Sequence, residues 1–162
     1  MLYILEGNEC CFKTTTAELL SNATGYPIIK GSSFELSSCT NTELFNKFLE
    51  FAEMDDIIFD RFIWSNLIYA NIYKDFSILT DDQRKYISDL IKDKSQIIYL
   101  HAPNDVIKSR LRSRGDDYVN EDKIDTISYS YNAVMNQIDD LQVWSFDTSQ
   151  IDGQGIVELL LA

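Results

Sequence analysis

The sequence predicts an α/β fold of three layers, in which a five-stranded parallel sheet carries helices on both faces. Short apolar runs rich in branched and aromatic residues recur along the chain, and segments of helical periodicity separate them. The chain has 162 residues, a usual size for one domain with its own hydrophobic core. Strands that alternate with helices in this way favour right-handed crossovers. We therefore expect a single domain over residues 1–162.

The elements are predicted from periodicity and capping. Strands are expected at 2–5, 27–30, 57–60, 96–101 and 142–147. A helix from 13 to 20 should follow the first strand directly after a loop. Thr40 with Glu43, and Thr80 with Gln83, have the spacing of capping boxes, and each begins a segment with apolar residues three and four apart. Further helices are predicted over 64–72, 104–115, 121–141 and 153–161.

Charge and composition exclude several classes of protein. Asp and Glu (26) outnumber Lys and Arg (14), and the net charge of −12 opposes binding to bulk nucleic acid. Cys10, Cys11 and Cys39 have neither a CxxC spacing nor a histidine partner, which indicates reduced thiols in a cytoplasmic protein. The apolar opening 1–5 is too short for a signal peptide, and no apolar stretch approaches the length of a membrane span. We expect a soluble protein that does not contact a membrane.

The loop after the first strand has the spacing of a phosphate-binding loop. Gly7 and the pair Lys13-Thr14 lie between a strand and a helix. In such a loop backbone N–H groups surround a β-phosphate, the lysine bridges the β- and γ-phosphates, and the hydroxyl ligates Mg²⁺. The alternative is that Gly7 is an ordinary turn glycine and Lys13 a solvent-exposed lysine.

Phe12 is the residue at which this loop departs from the pattern G-x-x-x-x-G-K-[ST]. It stands where the pattern has its second glycine. Glycine there allows the backbone to pass close to phosphate with a positive φ, whereas phenylalanine carries a Cβ and a ring. We expect either that the φ of Phe12 stays negative or that the loop is altered.

A second motif, Asp60-Arg-Phe-Ile-Trp-Ser-Asn-Leu-Ile-Tyr69, begins at the carboxyl end of the third predicted strand. It resembles the signature D-R-[YF]-x-x-S-x-x-[AI]-Y of thymidylate kinases and related deoxynucleoside and deoxynucleotide kinases. The resemblance covers nearly the whole chain: 96–103 is similar to that family's fourth strand, 110–118 to its lid motif R-x-x-x-R-G-D-D, and 147–152 to its last strand and adenine-side loop. It implies a P-loop kinase fold with a lid at about 108–121.

The resemblance implies roles for three charged residues near the acceptor. Glu9 would hydrogen-bond the acceptor's 3′-hydroxyl, as a carboxylate two residues after the loop glycine does in thymidylate kinases. Arg61 would bind the acceptor phosphate as a bidentate fork. Asp60 would hold Mg²⁺ through water or orient the attacking oxygen. The alternatives are a solvated loop acid for Glu9 and a surface ion pair for Asp60 and Arg61.

Four further residues are candidates for binding the acceptor's base and sugar. Asn66 and Tyr69 are three apart and share one side of a predicted helix, although Tyr69 also suits the core. By the resemblance Phe45 or Phe48 would stack on the acceptor base. Aromatic residues at helical spacing are more often core residues, and we expect that outcome for at least one of the two phenylalanines.

The predicted lid supplies the densest basic cluster of the sequence. Arg110 and Arg114 are four apart on one helix face. By the resemblance the lid provides the catalytic arginine, because the first loop has cysteines where related kinases hold one. The alternative is a solvated helix face balanced by neighbouring acids.

The predicted catalytic residues are Lys13, Asp60, Arg110 and Arg114. The predicted ATP-binding residues are Gly7, Cys10, Cys11, Phe12, Lys13, Thr14, Thr15, Arg110 and Ser149, and the predicted Mg²⁺ ligands are Thr14 and Asp60.

Two departures from the family pattern affect the acceptor side. The run Lys30-Gly-Ser-Ser-Phe-Glu35 replaces the usual Arg-Glu-Pro-Gly and lacks its phosphate-binding arginine, for which Lys30 or the two serines would substitute. In the lid, Asp117-Tyr118 replaces a D-R pair.

The predicted function is transfer of the γ-phosphoryl of ATP, with Mg²⁺, to a deoxynucleoside monophosphate such as dTMP or a related pyrimidine nucleotide. A first alternative is a kinase that acts on a hydroxyl of a nucleoside or of a hydroxymethyl-pyrimidine base in DNA, and the acidity of the chain opposes the DNA version. A second alternative is a noncatalytic nucleotide-binding protein in which Phe12 has abolished turnover. The resemblance favours a homodimer.

Overall fold

A computed structural model describes residues 1–32, 38–114 and 120–162, and its centre is a five-stranded sheet. The strands are β1 (Leu2–Gly7), β2 (Ile28–Lys30), β3 (Ile57–Asp60), β4 (Ser95–His101) and β5 (Gln142–Asp147). Their order is β2-β3-β1-β4-β5, and every pair is parallel. The predicted fold class and all five predicted strands are confirmed. The largest shift is in β1, which continues to Gly7 because Glu6 and Gly7 still pair with Tyr99 and Leu100.

Seven helices lie within the described residues. They are α1 (Lys13–Thr24), α2 (Asn41–Ala52), α3 (Ile63–Ile72), α4 (Asp81–Ile91), α5 (Asn104–Arg114), α6 (Glu121–Asn136) and α7 (Gly153–Leu161). Both capping boxes are present, with Thr40 capping α2 and Thr80 capping α4. Helix α6 ends at Asn136 rather than at the predicted 141, because the chain turns there and buries Leu141 just before β5. The predicted end of α5 at Gly115 lies outside the described residues.

Burial of the sheet indicates that helices cover both of its faces. Every residue of β1 is buried, and successive side chains of a strand point to opposite faces. Helix α1 packs against α7, whereas α6 packs against α3 and α5. Among the described residues no helix combines the length and the apolar character that crossing a bilayer needs.

The topology places the carboxyl ends of β1 and β3 side by side, with Leu5 paired to Asp60. Ligands of open parallel sheets bind outside the carboxyl ends of the strands. The loop from Gly7 to Lys13 and the segment that begins at Asp60 therefore lie together at this edge.

Candidate active site

The loop between β1 and α1 begins at a position that only glycine can occupy. Gly7 has a φ of +151°, and a Cβ built there would lie 2.0 Å from the carbonyl oxygen of Leu100. The next residue, Asn8, is buried, and its side-chain amide donates to the carbonyl of Ile124 (3.0 Å) and to Ser128 Oγ (2.7 Å) on α6. The loop is thus fixed at its start by a close backbone contact and by a helix far along the chain.

Lys13 lies inside this loop. Its side chain is buried, and Nζ donates to the carbonyl oxygen of Asn8 over 2.6 Å. Burial, with the positive charge of Arg61, lowers the pKa of the Lys13 ammonium below its ordinary value. The alternative of a solvent-exposed lysine is therefore wrong, and the ammonium is placed where a phosphate-binding loop carries its lysine.

Phe12 has the left-handed backbone conformation that the second glycine of such loops allows. Its φ is +62°, so the first of the two expected outcomes, a negative φ, is wrong. The loop still leads straight into α1, since the N–H of Thr16 donates to the carbonyl of Phe12 over 2.9 Å. Phe12 is 43% exposed, and its ring lies under the guanidinium of Arg110, with Cζ 4.2 Å from the ring centroid.

Arg110 of α5 connects the loop to the turn after β5. Its Nη1 donates to the carbonyl of Cys10 (2.9 Å) and to Thr148 Oγ1 (3.0 Å), and its Nη2 donates to the carbonyl of Thr148 (3.1 Å). Arg114 lies one turn further along α5. Both arginines line the same cavity as Lys13, which brings the predicted lid arginines to the phosphate loop.

Thr14 and Asp60 form an oxygen pair suited to a divalent cation. Thr14 Oγ1 lies 3.5 Å from Asp60 Oδ2, and both residues line the cavity. Hydroxyl and carboxylate oxygens are ligands that Mg²⁺ accepts, with water and phosphate completing its octahedron. Among residues 1–32, 38–114 and 120–162, no three His, Cys, Asp or Glu side chains form a metal cluster. The predicted ligands therefore fit an ion that a bound nucleotide would share.

On the other side of the loop an ionised carboxylate is held by two partners. Glu9 Oε1 accepts from Arg61 Nη2 and from the Tyr69 hydroxyl, each over 3.0 Å. Burial opposes ionisation of Glu9, but Arg61, Lys13 and the Tyr69 hydroxyl outweigh it and leave the pKa of the carboxyl below its ordinary value. The Arg61 guanidinium also lies 4.8 Å from the Tyr69 ring centroid. Glu9, Arg61 and Tyr69 all line the cavity.

The side chain of Arg61 is held in place by hydrogen bonds to other residues of the protein. It has a φ of +71°, and its Nη1 donates to the carbonyl of Gly7 (3.1 Å), Ser65 Oγ (3.3 Å) and the hydroxyl of Tyr131 (2.9 Å). Its Nη2 donates to Glu9, and Arg61 also lines the cavity, so the binding of an acceptor phosphate by Arg61 stays a prediction.

Beneath Arg61 lies a buried network that the sequence analysis did not identify. Glu6 is fully buried at the amino end of α3 and accepts from the N–H groups of Phe62 (2.8 Å) and Ser65 (3.2 Å). Its other oxygen accepts from Ser65 Oγ and from the Tyr131 hydroxyl (3.3 Å). Burial raises the pKa of Glu6 to about 7, against the lowering effects of Ser65 and Arg61. The sequence signal that could have identified Glu6 is the presence of an acidic residue at the end of the apolar run of β1.

The site opens into a cavity of about 970 Å³. Its lining combines the phosphate loop, the end of β2, the start of the second motif and one face of α5. The lining residues are Glu9, Cys10, Cys11, Phe12, Lys13, Thr14, Thr15, Lys30, Ser32, Asp60, Arg61, Tyr69, Tyr73, Ser109, Arg110, Ser113 and Arg114. Most of the predicted site residues are therefore brought together.

Five predicted site residues are not part of this lining, and the first of them is Gly7, at the start of the loop. Asn66 is buried and holds the segment before α4, with its amide donating to the carbonyl of Ser77 (2.8 Å) and accepting from the N–H of Leu79 (3.1 Å). Phe48 is fully buried against Phe62, with ring centroids 5.2 Å apart, so the interpretation of this phenylalanine as a core residue is confirmed.

Phe45 and Ser149 are the other two. Phe45 packs edge-on against Tyr86 of α4, with ring centroids 6.1 Å apart. Both the N–H and the hydroxyl of Ser149 donate to Asp147, although the preceding Thr148 contacts Arg110. Of the residues predicted for the lid and for the second-strand run, Asp116, Asp117, Tyr118, Ser33, Phe34 and Glu35 lie outside the described residues.

A parallel sheet of this order, with a phosphate loop after β1 and a carboxylate at the carboxyl end of β3, defines a P-loop kinase. Residues 26–155 match the deoxynucleoside kinase family. The chain belongs to that family, which the sequence analysis grouped with the thymidylate kinases.

The chain is also similar to individual proteins and solved structures. The chain is 51% identical over 149 residues to the SPbeta prophage-derived uncharacterized protein YorR of Bacillus subtilis strain 168, covering 92% of this chain and 90% of YorR. A crystal structure of YorR in complex with phosphorylated GDP superposes with a TM-score of 0.94 and 48% identity, covering 99% of this chain and 94% of that one. Deoxyadenosine kinase from M. mycoides with bound dCTP has 18% identity and a TM-score of 0.65, covering 99% and 97%, and supports the fold.

Proposed function

We propose that this protein is a Mg²⁺-dependent kinase that transfers the γ-phosphoryl of ATP to a sugar hydroxyl of a deoxynucleoside. The observation that carries the proposal is the carboxylate of Glu9, which shares the cavity with Lys13 and is held 3.0 Å from both Arg61 and Tyr69. A hydroxyl acceptor loses a proton during transfer and so needs a base within reach.

The donor end of the proposal uses the phosphate loop. The β- and γ-phosphates would lie against Lys13 and the amino end of α1, where backbone N–H groups point outward. Mg²⁺ held by Thr14 and Asp60 would neutralise charge on the phosphate oxygens. Arg114, at the end of α5 on the cavity wall, would reach the transferred group.

The acceptor end uses Glu9 as the base. The hydroxyl oxygen forms a bond to the γ-phosphorus, the bond from that phosphorus to the bridging oxygen breaks, and ADP leaves with that electron pair. The hydroxyl proton passes to a carboxylate oxygen of Glu9 and then to solvent. Because the pKa of Glu9 is lowered, the carboxyl is ionised at neutral pH and able to accept a proton. Arg61 and Tyr69 fix its orientation.

The charge balance around Arg61 supports a hydroxyl acceptor over a phosphate acceptor. Arg61 makes its ion pair with Glu9 and donates further hydrogen bonds to Gly7, Ser65 and Tyr131. A dianionic phosphate beside Glu9 would need an additional cation. The family supports a deoxynucleoside as acceptor, and the complex of the similar protein YorR with phosphorylated GDP supports nucleotide binding.

Transfer to a deoxynucleoside monophosphate, with dTMP or a related pyrimidine nucleotide as acceptor, is the second candidate. Lys30 and Ser32 favour it, because they line the same cavity and together offer a cation and a hydroxyl to an acceptor phosphate. That reaction needs no base, since phosphate oxygens are already nucleophilic at neutral pH.

A substrate panel separates these functions. The protein is incubated with ATP and Mg²⁺ and with each deoxynucleoside, each deoxynucleoside monophosphate, or DNA that contains a hydroxymethyl-pyrimidine base, and products are identified by chromatography and ³¹P NMR. We expect deoxynucleosides to become monophosphates. Conversion of monophosphates alone would replace the proposal by the second candidate, and phosphorylation of DNA alone would overturn both. Binding of an ATP analogue without any product would indicate a noncatalytic protein.

The variant Glu9→Gln tests the base directly. The amide keeps the size of the side chain but cannot take the proton, so we expect kcat to fall at least about a hundredfold with the KM for ATP within about twofold. Glu18→Gln, an exposed glutamate on α1, is the matched control and should leave both parameters unchanged. An active Glu9→Gln enzyme would rule out Glu9 as the base.

A further inference from the structure

Phe12 occupies a strained backbone conformation that its burial does not explain. Four non-glycine residues of the described segments have positive φ, namely Cys10, Phe12, Asp56 and Arg61. For a phenylalanine this conformation costs on the order of 1–2 kcal/mol. Phe12 is 43% exposed, so hydrophobic burial offsets little of that cost. Backbone strain at a ligand cavity that is not offset by packing is typical of residues with a functional role.

The contact between the Phe12 ring and Arg110 indicates such a role. The guanidinium Cζ lies 4.2 Å from the ring centroid, a close cation–π distance. The edge of the same guanidinium donates to the carbonyl of Cys10, to Thr148 Oγ1 and to the carbonyl of Thr148. Its hydrogen bonds therefore fix the edge of the group, and the Phe12 ring covers one face. A glycine at position 12 would leave that face uncovered.

The placement of Arg110 affects the rest of α5. Arg114 is four residues further on the same helix, and Ser109, Arg110, Ser113 and Arg114 all line the cavity that contains Lys13. A helix turn is rigid. Anchoring Arg110 against the phosphate loop therefore also fixes the distance between Arg114 and that loop.

We propose that Phe12 is a positioning residue: its exposed ring stacks under Arg110, docks α5 on the phosphate loop before the donor binds, and thereby sets the lid arginines for the donor phosphates. This inference rests on the proposed function for the identity of the donor. It assigns to the side chain of position 12 a role that a glycine there cannot have.

The test is a double-mutant cycle on donor affinity. A nonhydrolysable ATP analogue with Mg²⁺ is titrated into wild type, Phe12→Asn, Arg110→Gln and the double variant by calorimetry. Asparagine tolerates positive φ and lacks the ring, so the loop conformation is kept. We expect Phe12→Asn to weaken binding about fivefold in the wild-type background and by less than about 1.5-fold in the Arg110→Gln background. Phe12→Trp retains a π face and should restore affinity to within about twofold of wild type.

Hydrogen exchange in the ligand-free protein provides a second readout. Phe12→Asn and Arg110→Gln should each speed amide exchange at the carboxyl end of α5. The double variant should exchange no faster than Arg110→Gln alone, which also loses the hydrogen bonds to Cys10 and Thr148. This comparison decides the question even if Arg110→Gln binds too weakly for calorimetry.

An equal loss of affinity on Phe12→Asn in both backgrounds would overturn the inference, because Phe12 would then act without Arg110. Unchanged exchange in α5 of the Phe12→Asn variant would overturn it as well. Neither measurement needs turnover. If the substrate panel yields no product, the proposed function fails, while the coupling between Phe12 and Arg110 is still decided.

Discussion

The two halves of the candidate site are built in different ways. We define the donor half as Phe12, Lys13, Thr14 and Arg110. It consists of one short segment and one arginine, and the side chains of Lys13 and Arg110 donate to backbone carbonyls and to Thr148. The acceptor half connects side chain to side chain. We define it as Glu6, Glu9, Arg61, Ser65, Tyr69 and Tyr131, which come from β1, the loop after it, the segment after β3, α3 and α6.

This difference determines how each half responds to a mutation. A donor-half side chain has few side-chain partners, so its removal should change donor binding and leave the acceptor half intact. In the acceptor half each hydrogen bond orients a group that orients another, from Glu6 through Tyr131 and Arg61 to Glu9. Such networks are coupled, and one deletion affects several members.

The largest effect should come from Lys13→Ala in the donor half. The ammonium is buried in the loop and would bridge the donor phosphates, so its loss should lower kcat/KM by about a thousandfold, by analogy with removal of an oxyanion donor. Deoxynucleoside binding measured without ATP should be unchanged. Lys92→Ala is the control, since Lys92 is an exposed lysine that does not line this cavity. Activity near that of wild type in Lys13→Ala would refute the phosphate-loop assignment.

The next effect concerns Glu6 and pH. The pKa of Glu6 is raised from its ordinary value of 4.5 to about 7, so folding takes up a proton between these values. The stabilisation from Glu6 is fully present below pH 4.5 and is lost as pH rises through 7. At about 1.4 kcal/mol per unit the loss amounts to about 3 kcal/mol. Glu6→Gln resembles the protonated acid, and its unfolding free energy should change less between pH 5 and 7.5.

Urea denaturation at several pH values measures this difference. Glu9 in the same half has the opposite sign, because its pKa is lowered and its stabilisation is lost only on acidification below the ordinary value. Glu18→Gln, on the exposed side of α1, should keep the wild-type profile. If Glu6→Gln shows the same slope as wild type over this pH range, the carboxyl is not the group that titrates.

A smaller effect is expected for Tyr131→Phe, which tests the coupling within the acceptor half. The hydroxyl is buried and contacts Arg61 (2.9 Å), Ser65 (2.7 Å) and Glu6 (3.3 Å). Its removal leaves these groups short of a partner and should cost about 2 kcal/mol of unfolding free energy. The KM for the deoxynucleoside should rise, with the KM for ATP unchanged. Tyr129→Phe is the control, since Tyr129 is 78% exposed on the same helix. Equal shifts in both KM values would remove the distinction between the halves.

The contrast between the halves also explains which parts could be predicted from the sequence. The phosphate loop is a local pattern, so the spacing of Gly7 and Lys13-Thr14 between a strand and a helix was enough to place it. The five strands and both capping boxes are likewise local patterns. The acceptor half needs tertiary contacts: Tyr131 meets Glu6 across 125 positions, and nothing near Tyr131 in the sequence marks it as more than a core residue.

Helical spacing also left the direction of several side chains open. Asn66 and Tyr69 are three apart, but only Tyr69 reaches Glu9, while Asn66 contacts the segment that leads to α4. Phe45 and Phe48 share a stripe that periodicity assigns to the interior without saying which neighbour each one meets. For Phe12 the residue type argued against a positive φ, and only the contact with Arg110 gives a reason for it.

The smallest effect should be that of Thr14→Ala, which isolates the metal within the donor half. Thr14 Oγ1 lies 3.5 Å from Asp60 Oδ2, and the two oxygens would share Mg²⁺ with the donor phosphates. Losing one of several ligands should raise the Mg²⁺ concentration for half-maximal activity about tenfold, and saturating Mg²⁺ should restore most of the turnover.

Thr15→Ala is a close control, because Thr15 is the next residue, is also exposed and lines the same cavity. Thr14→Ser keeps the hydroxyl and should behave as wild type. An equal Mg²⁺ dependence in the Thr14→Ala and Thr15→Ala variants would exclude Thr14 as a ligand and leave Asp60 as the metal-binding side chain of the donor site.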